Sequence, residues 1–480
     1  MHHAVFLHRP ISRKPVSSAA AARIAALGLN LAGFMGVVNI TVIYLALPYI
    51  DRTLHAGVAN QEWIVSMYPL MEGGFTLAAG TMGDLYGRRR VLTALTWLFV
   101  VSTLGCALAP SAPFLIVMRA LQGLGGAALL SLPVAILIQM LPENADHEDT
   151  IKVFSTVAGS GGIAGPVLGG ILVHFWGWPS IFYLSVAMGI LVLAALPFAS
   201  ESDRDPSMRF DFGGQILSIV SLVAASFALI EGGVRGWNSM PILAAFGIFV
   251  CGAAAFISLE RRTPKPMIHL SYFRSPAFDS GLLMVAIINF LFYGVMLLAT
   301  TFLQNGQHVS AFLAGFYLMP ANLAFFLVNQ ISPWAENRLG KHRLVVVAWL
   351  FLIGGIAWLT SESITKASWP IGAGLFVMGI GFGLMWTPSC TLTMGACADA
   401  DQGFASGAIA LARSFFGVLG IAILGTLFTS RAQQLVATGV SQANALSQGW
   451  HLALLFCIGL TLVFGVIVYA LIPVRKVQPA

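Results

Sequence analysis

The 480-residue chain is 58% hydrophobic and only 9% charged, where a soluble domain carries roughly 25% charged residues. So much apolar surface excludes disorder, and so little polarity excludes a soluble globule, which leaves a polytopic helical membrane protein. The net charge of +6 therefore reads as a membrane-topology signal before it reads as affinity for nucleic acid.

A bilayer crossing needs about 20 apolar residues. Polar and Pro/Gly punctuation divides the chain into fourteen spans: 24–50, 61–83, 89–109, 113–141, 151–175, 178–199, 212–232, 238–259, 279–304, 309–335, 343–361, 368–396, 403–430 and 450–473. The first span follows Arg9, Arg13, Lys14 and Arg23, yet it is too long for the apolar core of a cleaved leader, so it is expected to be a spanning helix. The connections leave no room for a soluble domain. Cys106, Cys251, Cys390, Cys397 and Cys457 show no paired spacing and are expected to be buried small hydrophobes without disulfides. With the N-terminus cytoplasmic, nineteen of the 25 Lys and Arg fall in cytoplasmic segments, four fall outside, and Arg119 and Arg413 fall within spans. That bias predicts both termini inside.

The chain also repeats itself. The loop after the second span reads Gly80-Thr-Met-Gly-Asp84-Leu-Tyr-Gly87-Arg88-Arg89-Arg90, and the loop after the tenth reads Asn337-Arg338-Leu-Gly340-Lys341-His-Arg343. Gly87 and Gly340 are 253 residues apart; Gly123-Leu-Gly125 and Gly379-Ile-Gly381 are 256 apart. The two offsets predict two six-helix halves with helices 7 and 8 inserted between them, an organisation common in transporters. The expected division is a tail at 1–23, a first half at 24–200, the inserted pair at 201–276, a second half at 277–474 and a tail at 475–480.

Three motifs carry chemistry. Gly80, Asp84, Gly87 and Arg88 mark a tight turn, where Asp84 can accept from a helix N-terminus or pair with an arginine. Arg119 and Gln122, one turn apart in the fourth span, place a cation about 9 Å inside the membrane, where it must be paired or face a wet cavity. Gly161, Gly165, Pro166 and Gly169 in the fifth span combine a flat face for close packing with a kink, which suits either ordinary packing or a gate.

Taken in order, these motifs resemble the major facilitator superfamily, and the fourteen spans resemble its drug:proton antiporter branch. Further matches are Phe34-Met35 with Ala46-Leu47-Pro48, Trp63 with Tyr68, and Gly403, Ser406, Gly407, Arg413 and Gly425-Thr426-Leu427. The resemblance implies an all-α membrane protein of fourteen transmembrane helices in the major facilitator fold. It also implies alternating access, with export of small amphipathic or toxic compounds driven by proton entry, no cofactor, and a monomer in the plasma membrane.

The sequence departs from that family in places. Asn39 stands where the family's first helix carries an aspartate, and Tyr44 where it tends to have asparagine. Asn337 replaces the acid of the 10–11 loop, Ala410 and Ser414 flank Arg413, and the 4–5 loop is acidic, with Glu143, Asp146, Glu148 and Asp149. One acid is unusual: Glu72, about eleven residues into the second span. An intramembrane acid is a functional residue by default, so Glu72 is expected to carry the coupling proton or meet a cationic substrate; the competing reading is a structural glutamate paired between helices. Arg413 either pairs with an acid, lines a cavity or bonds helix carbonyls, and Asp279 and Glu231 are expected at the interface. Tyr44, Tyr68, Asn289, Tyr293, Gln304, Tyr317, Asn322, Trp386 and Thr387 are candidate cavity-lining groups.

The leading function is therefore a secondary active exporter, with a dedicated single-metabolite exporter or importer as runner-up. A polytopic membrane enzyme is disfavoured, since no His-x4-Asp or HExxH occurs, and Gly340-Lys341 lacks the rest of a phosphate-binding loop. A transport-inactive sensor is the third class. No metal, cofactor or nucleic-acid partner is expected; the partners are a small molecule, protons and the bilayer.

Overall fold

A computed structural model describes residues 18–141, 147–202, 204, 211–262, 270–362, 369–398 and 401–472. The tails 1–17 and 473–480, including Arg9, Arg13 and Lys14, and the loop acids Glu143 and Asp146 lie outside the described residues. Fourteen long helices run through the rest: α1 Ala19–Leu54, α2 Gly57–Tyr86, α3 Arg88–Ala107, α4 Ala112–Met140, α5 His147–Trp176, α6 Pro179–Phe198, α7 Phe212–Arg235, α8 Met240–Arg262, α9 Pro276–Gly306, α10 Ala311–Leu339, α11 Lys341–Thr360, α12 Trp369–Gly395, α13 Gln402–Ala437 and α14 Gln442–Leu471. Thirteen are long and apolar enough to cross a membrane. The exception is α2, which carries Glu62, Glu72 and Asp84.

Helix ends overrun the apolar spans. The last two spans are expected to stop at 430 and start at 450, yet α13 runs to Ala437 and α14 starts at Gln442. Apolarity marks the lipid slab, whereas a helix continues until its backbone is capped. Ser18, Ser111, Asp211 and Ser310 provide such caps, each accepting from a first-turn N–H. Within α1, Pro48 has no N–H for the Tyr44 carbonyl, and the helix tightens to a 3₁₀ turn over Val42–Ala46.

The repeat is visible in the geometry. Gly87 between α2 and α3 has φ +100°, and Gly340 between α10 and α11 has φ +76°, a region that favours glycine. Each N–H returns to a carbonyl four residues back, at 2.9 Å. The same correspondence governs packing: α4 packs on α2 and α3, α12 on α10 and α11, while α1 packs on α5 and α9 on α13. A Cβ on Gly125 would come within 2.6 Å of the Phe99 nitrogen on α3, and one on Gly381 within 2.8 Å of the Ala348 carbonyl on α11. Helices α1–α6 and α9–α14 thus form two similar lobes. The inserted α7 packs against both α2 and α13, and α8 packs on α7. Only 11% of the most apolar window of α8 is buried, so most of this helix faces lipid. Cys251 sits on it and is exposed, contrary to the expectation of burial; all five cysteines are free thiols.

Candidate functional site

Within the first lobe, Arg119 and Gln122 organise a buried polar network. The Arg119 Nε donates to the Ile64 carbonyl at 3.0 Å, its Nη1 donates to Gln122 Oε1 at 2.7 Å, and its guanidinium lies 4.8 Å from the Tyr68 ring centroid. Gln122 Nε2 donates to Asn39 Oδ1 at 3.0 Å and to Thr103 Oγ1 at 2.8 Å. Asn39 Oδ1 also accepts from Ser185 at 3.1 Å, and its Nδ2 donates to the Met35 carbonyl at 2.8 Å. The amide uses its acceptor and its donor at once. A carboxylate could fill the first role but only a protonated acid could fill the second, so Asn39 holds the site in the form a neutral acid would take. Arg119 is neither snorkelling nor open to a cavity: it is 1% exposed and ties α4 to α2.

Between the lobes, Arg413 Nη2 on α13 donates to Glu72 Oε1 on α2 at 2.9 Å. The two residues are 341 positions apart, one in each lobe. Glu72 is 1% exposed, while Arg413 also faces a cavity of about 420 Å³ between α1, α5, α9, α10, α12 and α13. Asn289, Tyr293, Asn322 and Trp386 line that cavity with Thr41, Phe292, Phe325, Asn329 and Phe382. Phe325 stands edge-on to Trp386, with ring centroids 6.1 Å apart. Glu148 and Lys152, in the first turns of α5, place its mouth at the end of the bundle that carries the Arg88–Arg90 turn. At the opposite end the lobes meet closely: a Cβ on Gly170 would lie 2.7 Å from the Ala311 carbonyl, and Gln304 Nε2 donates to the Leu45 carbonyl at 3.4 Å.

Some expected cavity groups lie elsewhere. Tyr44 and Tyr68 are buried away from the cavity wall, Tyr68 between the Arg119 guanidinium and Phe99 of α3. Gln304, Tyr317 and Thr387 are likewise outside the cavity wall; Thr387 donates instead to Asn329, at 2.9 Å. The Gly161, Gly165 and Gly169 stripe faces Phe34, Thr41 and Val42 on α1, so it serves packing within one lobe. The contacts across to α10 come from its neighbours Gly162, Gly170 and the carbonyl of Pro166, which Gly315 approaches. Gly80 faces open space, and the turn's close contacts belong to Gly83, against Leu132 and Arg88, and to Gly87, against Glu201.

The turn motif holds a residue that sequence reasoning missed. Asp84 pairs with Arg88 at 2.9 Å. The carboxylate at the α3 N-terminus is Glu201, which accepts from the Arg89 backbone N–H at 3.0 Å and lies 3.6 Å from the Arg89 side chain. Nothing local could have shown a partner 112 residues away. Glu62 on α2 was missed as well, since it stands at the start of the second apolar span; the structure buries it to 2% exposure. Glu231, expected at an interface, accepts from Trp63 Nε1 at 3.2 Å and from Arg235 at 2.7 Å. Among the described residues no group of three or more His, Cys, Asp or Glu gathers as metal ligands.

Two repeated six-helix lobes around a cavity that reaches one end define a membrane transporter of the internally repeated kind. The Major Facilitator Superfamily profile matches residues 29–421, and the chain belongs to that superfamily. It is 34% identical over 408 residues to the multidrug resistance protein Stp of Mycobacterium tuberculosis, covering 84% of this chain and 75% of that one. It is 28% identical to the methylenomycin A resistance protein of Streptomyces coelicolor, covering 82% and 83%. A crystal structure of a bacterial homologue of the human lysosomal transporter Spinster, inward-facing and unoccupied, superposes with a TM-score of 0.67 at 17% identity, covering 95% and 97% of the two chains. At that identity the likeness concerns the fold.

Proposed function

We propose that this protein exports small amphipathic compounds across the plasma membrane in exchange for protons, by alternating access and without catalysis, with both termini and the cavity mouth cytoplasmic. Relatives named for resistance to methylenomycin A and tetracenomycin C and for drug efflux support the direction and the substrate class. The excess of Lys and Arg on the mouth side supports the orientation.

The buried Glu72–Arg413 pair carries the reading. It joins the lobes beside the cavity, and Arg413 stands between Glu72 and the cavity space. A cationic substrate would meet the guanidinium first, so Glu72 suits a proton better than it suits a charged drug. Adding a proton to Glu72 removes half of the ion pair and frees Arg413 and the α2/α13 seam to shift. The cavity offers aromatic faces and the amides of Asn289, Asn322, Asn329 and Gln330, which fit neutral, ring-bearing compounds with a few polar groups.

The test is purified protein in liposomes loaded with a pH-sensitive dye, challenged with chloramphenicol, ethidium or fusidate as neutral, cationic and anionic probes. Wild type is expected to move protons on addition of the neutral probe, and Glu72→Gln to abolish that coupled flux while folding normally. Coupled flux unchanged in Glu72→Gln would sink the assignment of Glu72, and proton movement with ethidium alone would sink the neutral-substrate reading.

A further inference from the structure

Glu62 lies ten residues before Glu72 on α2, about 15 Å nearer the end away from the cavity mouth. Its Oε2 is buried without a hydrogen-bond partner. A pocket of about 160 Å³ between α2, α7 and α13 opens on this carboxyl, walled by Ala59, Gly233, Thr426, Thr429, Ser430 and Gln433 among others. Gly425 on α13 leaves the space that Glu62 Oε1 occupies, so a side chain there would displace it. The site is therefore built by three helices, one of them the inserted α7.

The surroundings suit an acid better than an anion. On α7 the charged neighbours are Glu231, a like charge, and Arg235, which Glu231 already holds at 2.7 Å. On α4, Arg119 directs its guanidinium to the Ile64 carbonyl, Gln122 and the Tyr68 ring and makes no ion pair with Glu62, although its Nη2 has no partner. On α13, Arg431 is not part of the pocket wall. The Thr429 hydroxyl donates to the Gly425 carbonyl at 2.8 Å, which leaves its oxygen facing outward as an acceptor. As placed, no hydroxyl or amide of this wall donates to Glu62 Oε2, whereas a protonated carboxyl can give its O–H to the Thr429 oxygen or to the oxygens of Thr426, Ser430 or Gln433.

We infer that Glu62 is a second proton-binding site, separate from the Glu72–Arg413 pair, and that the driving proton enters the α2/α13 seam there before it reaches Glu72. The inference rests on the proton-coupled export proposed above. No bond other than the O–H changes: the carboxylate takes a proton from the outer solution and releases it inward.

Two measurements test it. The first uses the wild-type protein in lipid nanodiscs and a hydrophobic carbodiimide, which reacts with protonated buried carboxyls, with peptide mass mapping as readout. An adduct on Glu62 that declines several-fold as pH rises is expected; no adduct at any pH, or one indifferent to pH, overturns the inference. The second uses Glu62→Gln in the dye-loaded liposomes with chloramphenicol as probe. At least a tenfold loss of coupled proton flux is expected, with downhill movement of the probe kept within about twofold. Wild-type coupling in Glu62→Gln overturns the entry role. If wild type itself moves no protons, the functional reading falls, and the carbodiimide result alone decides whether Glu62 binds a proton. Should Glu62→Gln fail to fold, Thr429→Val, which removes the acceptor and keeps the shape, is expected to weaken the carbodiimide adduct; an unchanged adduct counts against the site.

Discussion

The two lobes meet along two seams that use different chemistry. The α2/α13 seam is polar and continuous: Glu62 lies against Gly425, Glu72 bonds Arg413, Gly73 meets Ser414, and Leu77 fills the space beside Gly407. The inserted α7 backs it through Gln215, whose Nε2 donates to the Gly74 carbonyl at 2.6 Å. Among the described residues no ion pair joins α5 to α10 across their seam. The seam is tight at Gly170 and Gly315, then loosens past Gly162 into the cavity. Close backbone contact has no on and off state, whereas a buried ion pair changes strength with one proton. The first seam is thus suited to switching and the second to acting as the closed end against which the switch works.

The largest effect is expected at the switching seam. Arg413→Ala leaves the Glu72 carboxylate buried without its cation, at a cost of about 3–5 kcal/mol. Thermal melting of the detergent-solubilised protein measures it. The double variant Glu72→Leu with Arg413→Met removes both charges and is expected to recover most of that loss while remaining uncoupled. If the single and double variants melt together, the pair contributes no more than its packing.

At the other seam, Gly170→Val drives a branched side chain into the Ala311 carbonyl and Phe312 on α10. Overpacking of this kind costs about 1–3 kcal/mol. Because the clash holds the outer end apart, transport is expected to fall at least tenfold even where the protein still folds. Preserved transport in a folded Gly170→Val protein would show that this end need not close.

The sequence makes some of this difference legible and hides the rest. Thirteen of the fourteen long helices follow from apolar length, and the repeat glycines Gly87 and Gly340 take up positive φ because the turn demands it. Glu72 and Arg413 each stand out as charges deep in a span, but their pairing depends on how two helices 341 residues apart come together. Glu62 is harder still: its burial comes from α7 and α13, and a glutamate at the start of an apolar span looks like any interfacial charge. The α5 glycines illustrate the converse, since spacing identifies a packing face without saying which neighbour it meets.

Inside the first lobe, Asn39→Asp asks whether the Arg119 network accepts a second titrating group. The ionised carboxylate would face the Met35 carbonyl to which the amide now donates, and the protonated acid would restore that donor. Melting is expected to drop by the equivalent of about 1–3 kcal/mol at pH 8, the usual cost of an unmet buried polar group. It is expected to return toward wild type as pH falls to 5, because protonation repairs the contact. A loss that grows on acidification would contradict the bonding described for Asn39.

The smallest expected change separates the roles of α7 and the seam it backs. Gln215→Leu removes the bond to the Gly74 carbonyl while keeping bulk between α7 and α2. Hydrogen bonds between membrane helices average about 0.6 kcal/mol, so melting should shift by only a degree or two. Transport should stay within about twofold, because the Glu72–Arg413 contact does not pass through Gln215. A large loss of coupling from so small a loss of stability would mean that α7 takes part in the switching itself and does not merely support the helices that do.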